Sequence, residues 1–594
     1  MKKNVMALVA FLAIVMFCCT QQVQQKPAPK AKAYLLANLD TLQTTATDRL
    51  LRQAINGPVD SIQAAFLATR LAYKKVELFT EYYTPTASKE MNGAPLPEIE
   101  TDETTSFDPS GLQVIEEKIF PEFEEENRDE LVREVRKFIS VSGRARTLLQ
   151  HTTFSDANIF AACKQEIFRV IVLGITNFDT PITATGVKES VAALRSVQAV
   201  LHFYGENTKI QQLLQNAIAY TSHSNDPDSF DRMAFILNFA NPITSELVRW
   251  EEELEIEPLE TQSVLNTKAL TLFDEGALNP NFFAGSSEAM ATPTKAALGK
   301  ALFFDPVVAG GTRTCGSCHK PELAFTDGLP KSIAIEEGKF VQRNAPTLFY
   351  AGLQHAQFYD MRASTLESQA VDVIHNKDEM HGSVEEAAQR LNQQPVYLQA
   401  FKEAFPELDT QVQPKHVMIA LASYVRSLTP FNSRFDKHMR GTEELLTEEE
   451  IKGFNLFTGK AKCATCHFIP VFNGTAAPAF NNTEAEVLGV LQDPRATTPT
   501  LDIDEGRYTH SKMEELRFAF KTPTLRNIAK TAPYMHNGAY ETLEEVMDFY
   551  NKGGAMGMGL HLENQTLPPD PLNLTEEETK AVIAFLNSLT DEVN

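Results

Sequence analysis

At 594 residues the chain is too long for a single core, and two to four domains are expected. Its 43% hydrophobic and 22% charged residues are ordinary for a soluble globular protein. The 54 basic and 78 acidic side chains give a formal charge of −24, which argues against nucleic acid, whose phosphates demand clustered Lys and Arg. Acidic runs such as EEKIFPEFEEENRDE (116–130) and EEELEIEPLE (251–260) read as a solvated surface, or as one that attracts a basic partner protein.

The first predicted element is an export signal spanning 1–19. Lys2 and Lys3 precede an apolar run from Val5 to Phe17, too short to anchor in a bilayer, which ends at Cys18 and Cys19. A Cys in that place resembles a lipoprotein signal. Cys19 fits lipidation better, because small Cys18 precedes it whereas bulky Phe17 precedes Cys18. The expectation is an exported, periplasmic chain held to the membrane by lipid, with 20–33 as a polar linker.

Residues 34–255 read as a helical domain, since segments such as VREVRKFISVSGRARTLLQ repeat apolar residues every three to four positions. TRLAYKKVELF followed by GLQVIEE faintly resembles imelysin-like domains. That family's GxHxxE motif has Gln113 here in the His position, so a helical docking domain is the default reading. The stretch 256–290 is predicted to be a linker with one short helix.

Two similar modules follow, at 291–440 and 441–594. PTKAALGKALFFDP leads to CGSCH (315–319), and EEEIKGFNLFTGKAKCATCH ends at 467. Thr447 with Glu450, and Thr575 with Glu578, have capping-box spacing before amphipathic helices. Of seven cysteines, two lie in the leader, four form the CxxC pairs, and Cys163 stands alone. In CxxCH two thiols on one turn can add to the haem vinyl groups while the next His points at the iron. The candidate haem ligands are Cys315, Cys318 and His319, then Cys463, Cys466 and His467. A lone CxxC also fits zinc or redox thiols, but two copies with an adjacent His favour haem.

The segments LGKALFFDP, CGSCHKPELAFTDGLP, RNAPTLFYAG, FYDMRASTLESQA, NKDEM, CATCH, FKTPTLRNIAKTAPYMHNG and TLEEVMDFYNKGG resemble the bacterial di-haem cytochrome c peroxidase family, MauG-like members included. The resemblance covers roughly 285–594. It implies a mainly α architecture, an N-terminal helical domain followed by two cytochrome c-like haem domains, with peroxide reacting at the first haem and electrons relayed by the second. By that resemblance Glu379 is the acid/base, Gln369 orients bound oxygen, and Tyr359 stands where the family usually has an inter-haem Trp; the chain's one Trp, Trp250, lies elsewhere. Ile335 replaces the distal His of reductively activated members, which implies an open first iron unless His355, His375 or His381 closes it. Tyr550 falls where ordinary members place a Met and MauG a Tyr as sixth ligand to the second iron; Met556 and Met558 are the rivals, with Met535 and His536 further off. A calcium ion is implied at Asn344 and the carbonyls of Thr522 and Pro523.

Three functions remain open on the sequence. The first is peroxide reduction with electrons from a small cytochrome or copper protein. The second is MauG-like oxidation of residues in a partner protein. The third is a non-enzymatic electron carrier or haem sensor.

Overall fold

The computed structural model describes residues 26–100, 105–224, 226–257, 259, 263–443 and 445–592. The leader, with Cys18 and the candidate lipidation site Cys19, lies outside the described residues. The architecture is mainly α, with two short antiparallel strand pairs. The principal elements are labelled here in chain order.

Helix α1 (Pro27–Thr45) begins inside the stretch read as a polar linker. Pro27 presets the first helical turn, and Ala28, Ala31, Leu35, Leu39 and Leu42 bury one face, so 27–33 belongs to the packed domain. The longer of the remaining N-terminal helices are α2 (Val59–Tyr73), α3 (Arg128–His151), α4 (Asp156–Arg169), α5 (Gly186–Leu201), α6 (Thr208–Ser222) and α7 (Asn241–Glu253). Strands β1 (Glu98–Glu100) and β2 (Thr105–Phe107) pair in the loop before Gly111.

Among its described residues, the stretch predicted as a linker holds turns rather than a short helix. Asp274 accepts from the Leu270 amide at 2.8 Å and the Thr271 hydroxyl at 2.6 Å, and Asn266 from the Lys268 amide at 3.0 Å. Such short polar side chains offer the backbone an alternative to helix. The turns are packed: Leu272 and Phe273 are buried, and Phe273 meets Phe435 edge-on at 5.9 Å.

The two C-terminal modules share one design. Helix α8 (Pro293–Phe303) crosses α10 (Pro414–Arg426), and α11 (Glu448–Phe457) crosses α13 (Glu576–Ser588). Each crossing turns on a glycine. A Cβ on Gly299 would lie 1.9 Å from the Ala420 carbonyl oxygen, and one on Gly453 would lie 1.9 Å from that of Ala581. No larger residue permits so close a backbone approach. The expected boxes at Thr447 with Glu450 and Thr575 with Glu578 both form and start α11 and α13. In sequence, α9 (Leu366–His375) separates α8 from α10 and α12 (Leu543–Asn551) separates α11 from α13. Strands β3 (Ala485–Val487) and β4 (Ala519–Lys521) pair in the register Ala485 to Lys521 and Val487 to Ala519.

The N-terminal domain docks on the second module. Asn455 of α11 accepts from the amides of Arg232 and Met233 at 2.9 and 3.0 Å, and donates to Asp231 at 3.0 Å. Phe178 meets Phe468, the residue after His467, edge-on at 5.6 Å.

Candidate functional site

Each CxxCH opens a single 3-10 turn, Cys315–Ser317 and Cys463–Thr465, so that the thiols and the following His share one surface. His319 Nδ1 meets the Phe325 carbonyl at 2.8 Å. His467 Nδ1 lies 3.1 Å from the carbonyls of both Phe472 and Pro523. Fixing one ring nitrogen sets the tautomer and leaves Nε2 for a metal. Burial lowers His319 below its usual range and takes His467 down to about 4, so both are neutral imidazoles, the form that ligates iron. Burial pushes the Cys315 and Cys463 thiols up to about 12, the opposite of the low-pKa thiol that exchange chemistry requires. Among the described residues no group of three or more His, Cys, Asp or Glu is placed to hold a metal ion.

The histidine supports reveal a second repeat. Pro346 and Pro523 each offer a carbonyl to the His of their module. Thr347 donates to the Ala324 carbonyl at 2.6 Å, and Thr524 to the Val471 carbonyl at 2.7 Å. Thus Pro-Thr-Leu at 346–348 and at 523–525 brace equivalent loops. Those six residues carried the signal in the sequence, where only the CxxCH segments were read as repeated.

A cavity of about 1890 Å³ is lined by Cys463, Cys466, His467 and Tyr550. Gln369, Tyr359, Asn344, Thr522 and Pro523 reach the same walls, as do Met535 and His536. Its size exceeds the ordinary range for a small-ligand pocket, about 300–1,000 Å³, and a macrocycle at the CATCH thiols fits it. Burial raises the Tyr550 phenol, which feels Cys466 and Cys463 as neighbours. Met556 is 37% exposed and is not among the wall residues, and Met558, like Tyr550, packs against the cluster of Tyr540 and Phe549. His536 is buried on Phe520, with ring centroids 3.7 Å apart, and its Nε2 meets Asp502 at 3.3 Å.

The N-terminal domain supplies part of this wall through Lys89, Gln113, Asn177 and Phe178. Gln113 donates to the Asn92 carbonyl at 2.9 Å, and Glu116 accepts from Thr183 at 2.9 Å. The imelysin-type positions therefore serve internal hydrogen bonds.

At the first CxxCH, Glu379 follows α9 on a tight loop. Its Oε1 accepts from Asn376 at 2.6 Å, burial raises its carboxyl, and its charge is felt at the Cys318 thiol. Ile335 is 41% exposed, and its amide donates to the Asp378 carbonyl at 3.0 Å. This position thus braces the Glu379 loop through its backbone, and its side chain carries no ligand atom. His375 and His381 are exposed, and His355 is half-buried against Phe283 with centroids 6.1 Å apart.

Sequence reasoning missed Arg313, two residues before Cys315. Its guanidinium donates to the carbonyls of Ile333, Ala334 and Glu379 at 2.8, 2.7 and 3.3 Å, tying both distal loops to the haem-binding turn. It also missed Lys521, whose ammonium is buried on Gln354 and on the Ala356 carbonyl at 3.1 Å, and which burial takes down to about 7. The Lys521 amide donates to the Tyr359 carbonyl at 2.7 Å, which fixes Tyr359 at the seam of the modules. Of the calcium candidates, Asn344 donates to Leu329, the Thr522 carbonyl accepts from Gly474 at 3.1 Å, and the Pro523 carbonyl faces His467.

Comparison with known proteins places these features in a family. The profile described as di-haem cytochrome c peroxidase matches residues 293–444. The methylamine utilization protein MauG of Methylorubrum extorquens is 34% identical over 302 residues, which is 51% of this chain and 79% of that protein. The cytochrome c551 peroxidase of Nitrosomonas europaea is 32% identical over 300 residues, 50% of this chain and 80% of that protein. A crystal structure of a MauG-like protein associated with microbial copper homeostasis is 30% identical, with a TM-score of 0.44 over 52% of this chain and 92% of that one.

Proposed function

The chain belongs to the di-haem cytochrome c peroxidase family and is a peroxidase-type oxidoreductase; from that premise we propose that it reduces hydrogen peroxide at the module carrying Cys315, Cys318 and His319, with electrons relayed through the module carrying Cys463, Cys466 and His467. Both haems are proposed to be held by thioethers at those cysteines. When bound, haem iron supplies the two-electron chemistry of the O–O bond. The electron donor is proposed to be a small cytochrome or copper protein, and the expected site of action is outside the cytoplasm.

The chain's own residues have separable tasks. His319 and His467 have Nδ1 engaged by their carbonyl partners, which would leave Nε2 to hold the haem iron. Glu379, whose loop is held by Arg313 and Asn376, would move the peroxide proton from one oxygen to the other, and Gln369 would orient the peroxide. Ile335 offers no side-chain ligand, so the distal face at this module stays accessible to peroxide. Tyr550, on the wall of the second site, would hold the second haem's iron in this reading, and Met556 would not. The same reading seats calcium at Asn344 with the Thr522 and Pro523 carbonyls.

The observation that carries the proposal is Glu379, a half-buried carboxyl bonded to Asn376 on a loop braced by the backbone of residue 335 and within electrostatic reach of Cys318. The test is the optical spectrum of the as-isolated diferric protein before and after one equivalent of hydrogen peroxide. A high-spin haem that reacts at once supports the reading. Two low-spin haems indifferent to peroxide until half-reduced would return the chain to the reductively activated members, and indifference in every state would make it a carrier or sensor.

A second reading shares this site. Tyr550 on the cavity wall and Ile335 at the distal position both favour MauG-like chemistry, in which the peroxide-oxidised unit takes electrons from residues of a partner protein. Peroxide-dependent oxidation of a co-purifying protein, with no turnover of reduced cytochrome c, would favour it over the first.

A further inference from the structure

Behind the two candidate haem-ligating histidines runs a file of aromatic rings bridged at one point by a guanidinium. His319 bonds the Phe325 carbonyl, and Phe325 meets Phe349 edge-on at 5.1 Å. Phe349 lies 6.4 Å from Tyr350, centroid to centroid. The Arg526 guanidinium stands 5.0 Å from the Tyr350 ring and 5.7 Å from that of Phe472, whose carbonyl holds His467. Tyr350 is the one ring of this file whose oxidation is chemically accessible, and it is fully buried. Its phenol donates to Asp591 Oδ2 at 2.7 Å and accepts from the Phe431 amide at 3.0 Å.

The site is built to hold that geometry. Tyr350 sits at φ 62, a left-handed conformation costly for an aromatic residue, and its amide donates to the Leu428 carbonyl at 2.9 Å. Asp591 is 2% exposed and accepts from Asn527 at 2.7 Å and from the Asn432 amide at 3.1 Å. No Arg or Lys bonds it directly among the described contacts, because Arg526 is bonded to Asp436 at 2.7 and 2.8 Å. A buried phenol with a carboxylate acceptor at hydrogen-bond distance can lose an electron without leaving a positive charge behind.

We propose that Tyr350 and Asp591 form a proton-coupled redox pair that passes oxidising equivalents between the two modules along their proximal sides. The proposal rests on the peroxidase reading, which supplies hydrogen peroxide as the oxidant. Each peroxide takes two electrons and two protons to become two waters. In the step at issue one electron leaves the Tyr350 ring for the peroxide-oxidised module and the phenol O–H bond breaks. The proton passes to Asp591 Oδ2, giving a neutral carboxylic acid and a phenoxyl radical that keeps the Phe431 hydrogen bond. An electron from the other module reduces the radical, and the proton returns. Burial raises the Asp591 carboxyl, which suits it to accept that proton. Tyr359, whose carbonyl accepts from the Lys521 amide at the seam of the modules, is a parallel stepping stone.

The test uses the full-length protein with both haems, mixed with one equivalent of hydrogen peroxide, freeze-quenched and read by electron paramagnetic resonance. A radical signal whose hyperfine structure narrows in protein grown on ring-deuterated tyrosine is expected. It should fall several-fold in Tyr350→Phe, which keeps the ring and removes the phenol, and persist in Tyr359→Phe. Asp591→Asn should suppress it as strongly with the tyrosine still present, an effect that packing alone does not produce. If Tyr350→Phe does not fold, Tyr359→Phe and Asp591→Asn still decide: a signal lost in the first and intact in the second overturns the proposal. So does equal yield in Tyr350→Phe and wild type, or haem spectra that respond to peroxide with no tyrosine radical at all. Haem spectra that ignore peroxide overturn the peroxidase reading and this proposal together, and the optical trace separates that case.

Discussion

Replacing Glu379 by Gln keeps the shape of the side chain and its place beside Asn376 while removing the proton carrier. General acid–base groups contribute about 10²- to 10⁴-fold. Glu379→Gln should therefore slow peroxide cleavage by about that factor in stopped-flow spectroscopy, with haem content unchanged. An unaltered rate would end the assigned role. At the second site the rival ligands separate as cleanly. Tyr550 faces the cavity with His467, whereas Met556 is 37% exposed. Tyr550→Met should raise the reduction potential of the second haem and change its optical spectrum, since thioether ligation favours the reduced iron. Met556→Leu should leave both unchanged, and a shift there with none in Tyr550→Met would reverse the assignment.

Arg313 acts at the scale of elements, because one guanidinium ties the 332–341 turn and the Glu379 loop to the turn that carries Cys315. Arg313→Met should cost about 1–3 kcal/mol for the lost charged hydrogen bonds. It should also slow the peroxide reaction without altering the second haem's potential, and thermal melts with potentiometry of each haem check both halves. Why Arg313 escaped the sequence is physical. Its partners are backbone carbonyls, which every residue has, so no complementary side chain marks the contact. The capping boxes at Thr447 and Thr575 were legible because cap and partner lie three residues apart. The CxxCH turns were legible for the same reason of proximity. The Pro-Thr-Leu braces lie 27 and 56 residues beyond their histidines (346 − 319 and 523 − 467), and only their repetition could have disclosed them. Helix α1 was read too short because Lys30 and Lys32 hide a buried face of Ala28, Ala31 and Leu35. The long side chain of Lys32 reaches carbonyls at Gln150 and Thr152 from that face's edge.

For the whole molecule, the N-terminal domain is held by buried charge. Arg70, Lys74 and Arg169 share its interior with Glu77, Glu81, Glu116, Glu166, Asp179 and Glu189. Glu77, Asp179 and Glu189 pair with the three cations. Burial raises Glu81, Glu116 and Glu166. Glu166 is the clearest case, since neither of its oxygens has a donor partner and Glu77 is its charged neighbour. The signs are opposite for the two kinds of acid. Burial opposes ionisation of Asp179, yet Arg169 and Lys74 hold it well below its usual range. Its contribution is present above the ordinary Asp value, about 3.9, and is lost as pH falls through the folded value. Glu166, raised, contributes fully below the ordinary Glu value, about 4.3, and that contribution is lost as pH rises through its folded value. The melting temperature of the N-terminal domain should thus rise on mild acidification before it collapses in strong acid. Glu166→Gln, which fixes the neutral form, should reduce the rise, matching or exceeding wild type at neutral pH and losing that advantage below about pH 4. Melting curves of both proteins across that range decide it, and a variant less stable than wild type at neutral pH would mean that Glu166 is ionised in the fold.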